Sequence, residues 1–221
     1  MITIEVEECL ASRCPDFCGI AVTADVVNTK YNAALWEEIH RFEEKFRRTY
    51  KIEEFNTLCA ANRATRAAYK ATGKDPNRYR PSAESLARRV LRGLPLYQIA
   101  TLVDLINLLS LSTGHSIGGF DADKLVGSQL RLGIGRTGEP YEGIGKGTLN
   151  IEGMPVYRDA IGGIGTPTSD NERTKLSDDS TRLLMIINAY DGRESGENTL
   201  REGMRLLKQY ASAEHVEVIS F

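Results

Sequence analysis

Nowhere does the chain hold an apolar run near the ~20 residues that a membrane-spanning helix needs. Its first residues, Met1-Ile2-Thr3-Ile4-Glu5-Val6-Glu7, alternate with acids where a signal peptide would be continuously apolar. A cytosolic protein with no membrane partner is the expectation. Charge of one sign is lacking too. The 28 Lys and Arg face 30 Asp and Glu, a formal net charge of −2, which excludes a surface that binds polyanions over its whole extent. The balance is uneven, because residues 37–92 hold fourteen Lys and Arg against eight Asp and Glu. Two readings of that excess stay open: a local basic face, or the solvated sides of helices.

Cysteine is scarce and badly spaced for metal. Cys9, Cys14, Cys18 and Cys59 form no C-x2-C pair, and 221 residues with 41% hydrophobic content can bury a core without staples. Reduced thiols and no metal site are expected. Histidine is limited to His40, His115 and His215, and no GxSxG elbow is present, which argues against a Ser–His hydrolase of the usual build. Phosphate-binding loops are absent as well. Gly143-Ile144-Gly145-Lys146-Gly147-Thr148 has glycine where a P-loop needs Ser or Thr after its lysine, and Gly163-Ile164-Gly165 runs into Thr166-Pro167-Thr168 instead of completing GxGxxG. No cofactor is expected. The glycines either serve turns and close strand packing, or line a pocket where backbone N–H groups meet a ligand.

What is there reads as an α+β chain forming one domain, with a helical N-terminal part packed on a mixed, mainly antiparallel sheet core. Ile2, Ile4 and Val6 alternate as a strand, and residues 19–23 form a second short one. Leu35, Ile39, Phe42 and Phe46 make one helical stripe, and a second helix is expected over residues 52–72, stopping at Gly73. The proline-bearing residues 74–81 are a connection, after which Ser82 is a suitable N-cap for a helix ending at Gly93. A helix over residues 99–112 is apolar on most sides, so Asp104 and Asn107 within it each require a hydrogen-bond partner. From Ser116 the texture becomes sheet-like. Residues 129–134 alternate, Leu149-Asn150-Ile151 and Met154–Tyr157 suggest a hairpin about Glu152-Gly153, and 183–187 is a buried-strand run. An amphipathic helix carrying Leu200, Met204, Leu207 and Tyr210 follows, and residues 215–221 close the fold as a last strand. The subregions expected are 1–79, 80–190 and 191–221.

One constellation is less bland. Val103-Asp104-x-x-Asn107, then Gly114, then Phe120-Asp121-x-Asp123-x-Leu125, with Ala160-Ile161-Gly162-Gly163-Ile164 downstream, resembles the B3/B4 domain of the bacterial phenylalanyl-tRNA synthetase β chain over residues 80–190. The resemblance implies strands and helices in β/β/α layers and a freestanding protein that hydrolyses mischarged aminoacyl-tRNA esters, its partners being tRNA and the amino acid moiety. On that reading His115 positions the water, oxyanion donors lie in residues 162–166 with Gly163 and Thr166 closest to the chemistry, Arg80 meets a carboxylate or phosphate, and Asp159 or Asp170 holds an α-ammonium. Asn107, Asp121, Gly162 and Gly165 complete the substrate contacts. The editing histidine of the family would fall at Gly118 and its tyrosine-reading glutamate at Ile187, so tyrosine is not the expected amino acid. The alternative is a B3/B4 module that binds RNA, an amino acid or a metabolite without catalysis. A complete synthetase is excluded by length.

Overall fold

The structure is a computed structural model and describes residues 2–221. Two four-stranded sheets lie face to face and a layer of helices covers one of them, the β/β/α arrangement expected. The first sheet has the order β1–β4–β7–β8, formed by Thr3–Val6, Gln129–Ile134, Pro155–Arg158 and Gly163–Gly165, with β1 parallel to β4 and the rest antiparallel. The second has the order β10–β2–β9–β3, formed by Glu214–Ser220, Cys18–Asp25, Arg182–Ala189 and Ile117–Asp121, all antiparallel. Two-residue strands, β5 (Glu142–Gly143) and β6 (Gly147–Thr148), make a small hairpin.

The continuous apolar run of β9 is explained by its position. Leu183, Met185 and Ile187 face the helices, while Leu184 and Ile186 face the first sheet, against Leu130, Leu132, Tyr157 and Ile164. A side chain buried on either face contributes roughly 1.5–3 kcal/mol. β2 divides the same way, with Ile20 and Val22 under the helices and Ala21 toward the other sheet. The one-turn α1 (Glu8–Ala11) puts Leu10 into the core between the sheets, and the covering helices are α2 (Ala33–Thr49), α5 (Ser82–Leu91), α6 (Thr101–Thr113) and α7 (Arg193–Tyr210).

Four local expectations differ from the structure. The helix expected over 52–72 is broken into α3 (Phe55–Leu58) and α4 (Ala60–Thr72) at Cys59, whose backbone is extended; Phe55 turns inward to join Phe46 and Tyr50. Gly73 does end α4, in the left-handed conformation at φ 95°. Ser82 is the first helical residue of α5, and Pro81 takes the cap position. Residues 149–151 do not pair with β7: its partners are β4 and β8, and Ile151 and Met154 bury with Tyr141 instead. β3 carries Gly118-Gly119 at its centre, which hides it from a reading based on β-propensity.

Trp36 and Asp104 illustrate how the helical layer is keyed. The indole Nε1–H donates to Asp104 Oδ2 at 2.9 Å, and Ile99 N–H donates to Oδ1 at 2.9 Å. Burial pushes the Asp104 carboxyl up, and these donors pull it only partly back. Trp36→Phe should therefore lower stability by about 1–3 kcal/mol, seen as a fall in the urea midpoint at constant slope. An unchanged midpoint would show that the indole is not what satisfies the carboxyl.

Candidate binding pocket at the edge of the second sheet

β3 is an edge strand of the helix-covered sheet, and a cavity of about 320 Å³ runs along it. The lining follows simple periodicities. Val103, Ile106, Asn107 and Ser110 are one face of α6, Ser82 and Leu86 one face of α5, and Ile117 and Gly119 one face of β3. Thr166, at the end of β8, and the segment after it add Ser169, Asp170, Lys175 and Leu176. Ile99, just before α6, and Ile144, at the tip of the β5–β6 hairpin, stand exposed at the mouth. The volume is at the small end of the ~300–1,000 Å³ typical of ligand sites, and the walls are mostly aliphatic.

Asp170 is the charged group in this setting that lacks a counterion. Its Oδ2 accepts from Gly119 N–H at 3.0 Å, which links the loop after β8 to β3. No Lys, Arg or His lies within 4.0 Å of the carboxyl among the described residues. Burial pushes its pKa up to about 7, against a lowering by the Gly119 hydrogen bond. The backbone comes unusually close here. A Cβ on Gly118 or Gly165 would strike the Phe120 ring, at 2.7 and 2.5 Å, and would lie 3.3 and 3.1 Å from Asp170 Oδ1. Both positions are glycine because Phe120 and Asp170 occupy the side-chain space.

Ser82, Asn107 and Ser110 present polar atoms to the cavity and make no side-chain hydrogen bond to protein among the described residues. Ser82 also brings the N-terminal end of α5, which has no side-chain cap, to the rim. That end carries partial positive charge. A ligand entering the cavity thus meets an aliphatic wall, the Asp170 carboxylate, Lys175 with its Nζ already paired to Glu172, and a few free polar groups. No group of His, Cys, Asp and Glu among the described residues is arranged to hold a metal ion.

The structure separates the residues expected to share a site. Asn107, Thr166 and Asp170 line the cavity, and Gly165 bridges to Asp170 just behind it. His115 does not. Its ring is buried beneath the start of α7, where Nε2–H donates to Asp191 Oδ1 at 2.8 Å and Nδ1 meets Thr199 Oγ1 at 2.8 Å. Burial alone would raise the Asp191 carboxyl, but the hydrogen bonds from His115 and Ser195 hold it below its ordinary value. The cluster ties the turn after α6 to α7.

Asp159 is likewise engaged in structure. Arg173 clamps it with two hydrogen bonds, at 2.8 and 2.9 Å, and Val126, Ile161 and Gly162 donate backbone N–H groups to it. Asp121 accepts from Ser180 and caps the short turn that follows. Arg80 leans on buried Glu84 at 3.7 Å. Gly163 packs against Tyr141, and two of the expected oxyanion donors, the amides of Gly162 and Thr166, already donate to Asp159 and to Ser169 O. Gly118 sits beside Asp170, whereas Ile187 faces the helices. Ser82, Ser110 and Gly119 were not foreseen as site residues. The α6 face, read at i, i+3, i+4 and i+7 from Val103, was the signal that could have found Ser110.

Sheet packed on sheet, with helices on one side and a cavity of about 320 Å³ along the edge strand β3, defines an α+β domain of β/β/α layers. Within that class the profile of the B3/4 domain matches residues 64–205, over half of the chain, and the chain belongs to that family. The matched region extends beyond 80–190 at both ends. Among solved structures, an N-terminal fragment of the phenylalanyl-tRNA synthetase β-subunit from Pyrococcus horikoshii is similar, with a TM-score of 0.53 at 13% identity. The match covers 99% of this chain and 54% of that one, so the likeness is one of fold and the chain spans about half of that fragment. Comparison with curated protein sequences gives no match.

Asp170 yields a stability test. Its folded pKa lies above its unfolded value, so between about pH 4 and pH 7 the folded state keeps a proton that the unfolded chain has lost, and stability falls as pH rises through that window. Asp170→Asn should remove this fall. Its Tm should match wild type near pH 4 and exceed it at pH 8. A variant less stable than wild type at pH 8 would contradict the raised pKa.

Proposed function

We propose that this chain is a freestanding deacylase of aminoacyl-tRNA, in which the cavity along β3 receives the amino acid of the ester and Asp170 holds its α-ammonium. The observation that carries this reading is Asp170 itself, a carboxylate with one backbone donor and no cation, placed in an aliphatic cavity of about 320 Å³. An ammonium supplies the counterion that the protein withholds. The aliphatic lining accepts the side chain, and the B3/4 family together with the fold shared with a synthetase β-subunit fragment supports RNA as the group on the other side of the ester.

Hydrolysis asks little more than register. Water adds to the ester carbonyl, the bond from the carbonyl carbon to the ribose oxygen breaks, and the free amino acid and the tRNA hydroxyl depart. Asn107 supplies an amide donor for the carbonyl oxygen, and Ser82 and Ser110 offer hydroxyls that hold the water. Neither Gly118 nor Ile187 can read a phenolic hydroxyl, so tyrosine is not the amino acid of choice. The second reading is a binding module without catalysis. It is favoured by the absence of an imidazole from the cavity lining and by the prior engagement of the Gly162 and Thr166 amides.

Deacylation of a panel of aminoacyl-tRNAs, followed as loss of labelled amino acid, separates the two. An ester with an aliphatic side chain should be cleaved faster than in buffer, with a rate that rises through pH 7 as Asp170 ionises. Asp170→Asn should slow it by about tenfold or more, the charge-assisted hydrogen bond being worth ~1.5–3 kcal/mol. Cleavage at the buffer rate for every ester, with an aminoacyl-ester analogue still bound, would leave the binding module as the function.

A further inference from the structure

The connection between α5 and α6 exposes large apolar side chains that the fold does not need outside. Leu94, Tyr97 and Ile99 are 48%, 53% and 55% exposed within six residues. The segment is not loose. Arg89 Nε–H donates to Pro95 O at 2.5 Å, Leu96 is buried with its N–H on Glu43 Oε1 at 2.6 Å, and Ile99 N–H is held by Asp104 at 2.9 Å. Three anchors thus fix a rigid loop that holds its apolar groups in water, and such patches mark interaction sites. The loop leads directly into the pocket, because Ile99 stands at its mouth.

Tyr97 is prepared on one side only. The Arg89 guanidinium lies 3.7 Å from the ring centroid, a cation–π stack that orients the ring and leaves the tyrosine half-exposed. Arg89 is spent on Pro95 O and the Tyr97 ring, but Arg88 and Arg92, at the C-terminal end of the same helix, have no carboxylate within 4.0 Å among the described residues, whereas Arg66, Arg80, Arg158 and Arg173 all do. A flat aromatic face next to the mouth of a small cavity, with two unpaired guanidinium groups at the end of the helix that leads to it, fits a nucleobase whose phosphates run toward those arginines.

We infer that the α5–α6 connection is a stacking platform for the 3′-terminal nucleotides of a single-stranded RNA end, with Tyr97 against a base and Arg88 and Arg92 on the phosphates. The inference rests on the proposed function for its choice of RNA. It also accounts for the local basic excess of residues 37–92, of which these arginines form the C-terminal end.

The probe is an uncharged RNA hairpin carrying a four-nucleotide single-stranded 3′ tail, with the same hairpin made blunt as control, both read by fluorescence anisotropy. The tailed hairpin should bind more tightly. Tyr97→Ala should weaken it roughly 5- to 100-fold, as loss of one base stack does, and Tyr97→Trp should restore it. Arg92→Gln should weaken binding and reduce the slope against log salt by about one. All three variants lie at exposed positions and should keep the wild-type Tm. Equal affinity for tailed and blunt hairpins, or a Tyr97→Ala protein that binds the tail like wild type, overturns the platform. So does sedimentation showing that Leu94 and Tyr97 hold two copies of the chain together, with no affinity for the tail. Because the probe bears no ester, tail binding with no deacylation sinks only the deacylase, and deacylation sensitive to Asp170→Asn but not to Tyr97→Ala sinks only the platform.

Discussion

The constraint on which the rest depends is the burial of β9 on both faces. A strand that gives Leu183, Met185 and Ile187 to a helical layer and Leu184 and Ile186 to a second sheet must lie in the middle layer of three. With β2 on one side it leaves only the other side for β3, which becomes an edge. An edge strand in a water-filled setting invites unwanted pairing. Here part of that edge is taken up by Asp170, whose side chain accepts from Gly119 N–H, and by a bridge from Phe120 to Lys175. The cavity is the space left between that covering segment, α5, α6 and β3. Pocket and layer order are thus two results of one packing decision.

That decision also explains the electrostatics. Asp170, used as a strand cover, is half-buried with no cation, and this desolvation pushes its pKa up to about 7. Three other acids are given a cation: Arg173 clamps Asp159, Arg158 clamps Glu139, and Arg66 clamps Glu84, and for Asp159 and Glu139 this pairing outweighs burial and holds the carboxyl below its ordinary value; Asp104 has no cation but is satisfied by the Trp36 indole and the Ile99 amide. Asp170 lacks a cation as Asp104 does, but it has a single backbone donor and lines a cavity, which Asp104 does not. Structural acids and the candidate functional acid are separated by that comparison rather than by their positions in sequence.

Most of the layer order was legible in the residues. Periodicity marked α2, α7 and β4, continuous apolar stretches marked α6 and β9, and left-handed glycines at 73 and 114 end the helices where the pattern stops. What was not legible had a tertiary cause. The helix breaks at Cys59 while Phe55 packs on Phe46 and Tyr50, β7 finds its partner in β4 across intervening residues, and Gly118-Gly119 is a strand through its pairing with β9, the Phe120 ring filling the side-chain space at Gly118. Of the site, Asn107, Thr166 and Asp170 were readable as chemistry-bearing residues, but nothing local distinguishes Asp170 from Asp159. His115 looked available because it follows a helix end; only the distant Asp191 and Thr199 reveal that its ring is already held.

The wall that β3 contributes to the cavity is partly bare backbone. At Gly119 an added methyl would press on the Ile106 Cδ1 atom at 2.5 Å and the Leu176 Cδ1 atom at 3.2 Å, which are the movable tips of side chains and not main chain. Cavity depth is accordingly a variable that a single codon can reset while strand pairing, layer order and the Asp170 contact stay as they are. A scaffold of this kind separates the evolution of selectivity from the evolution of stability, and one architecture can be refitted to ligands that differ by a methylene.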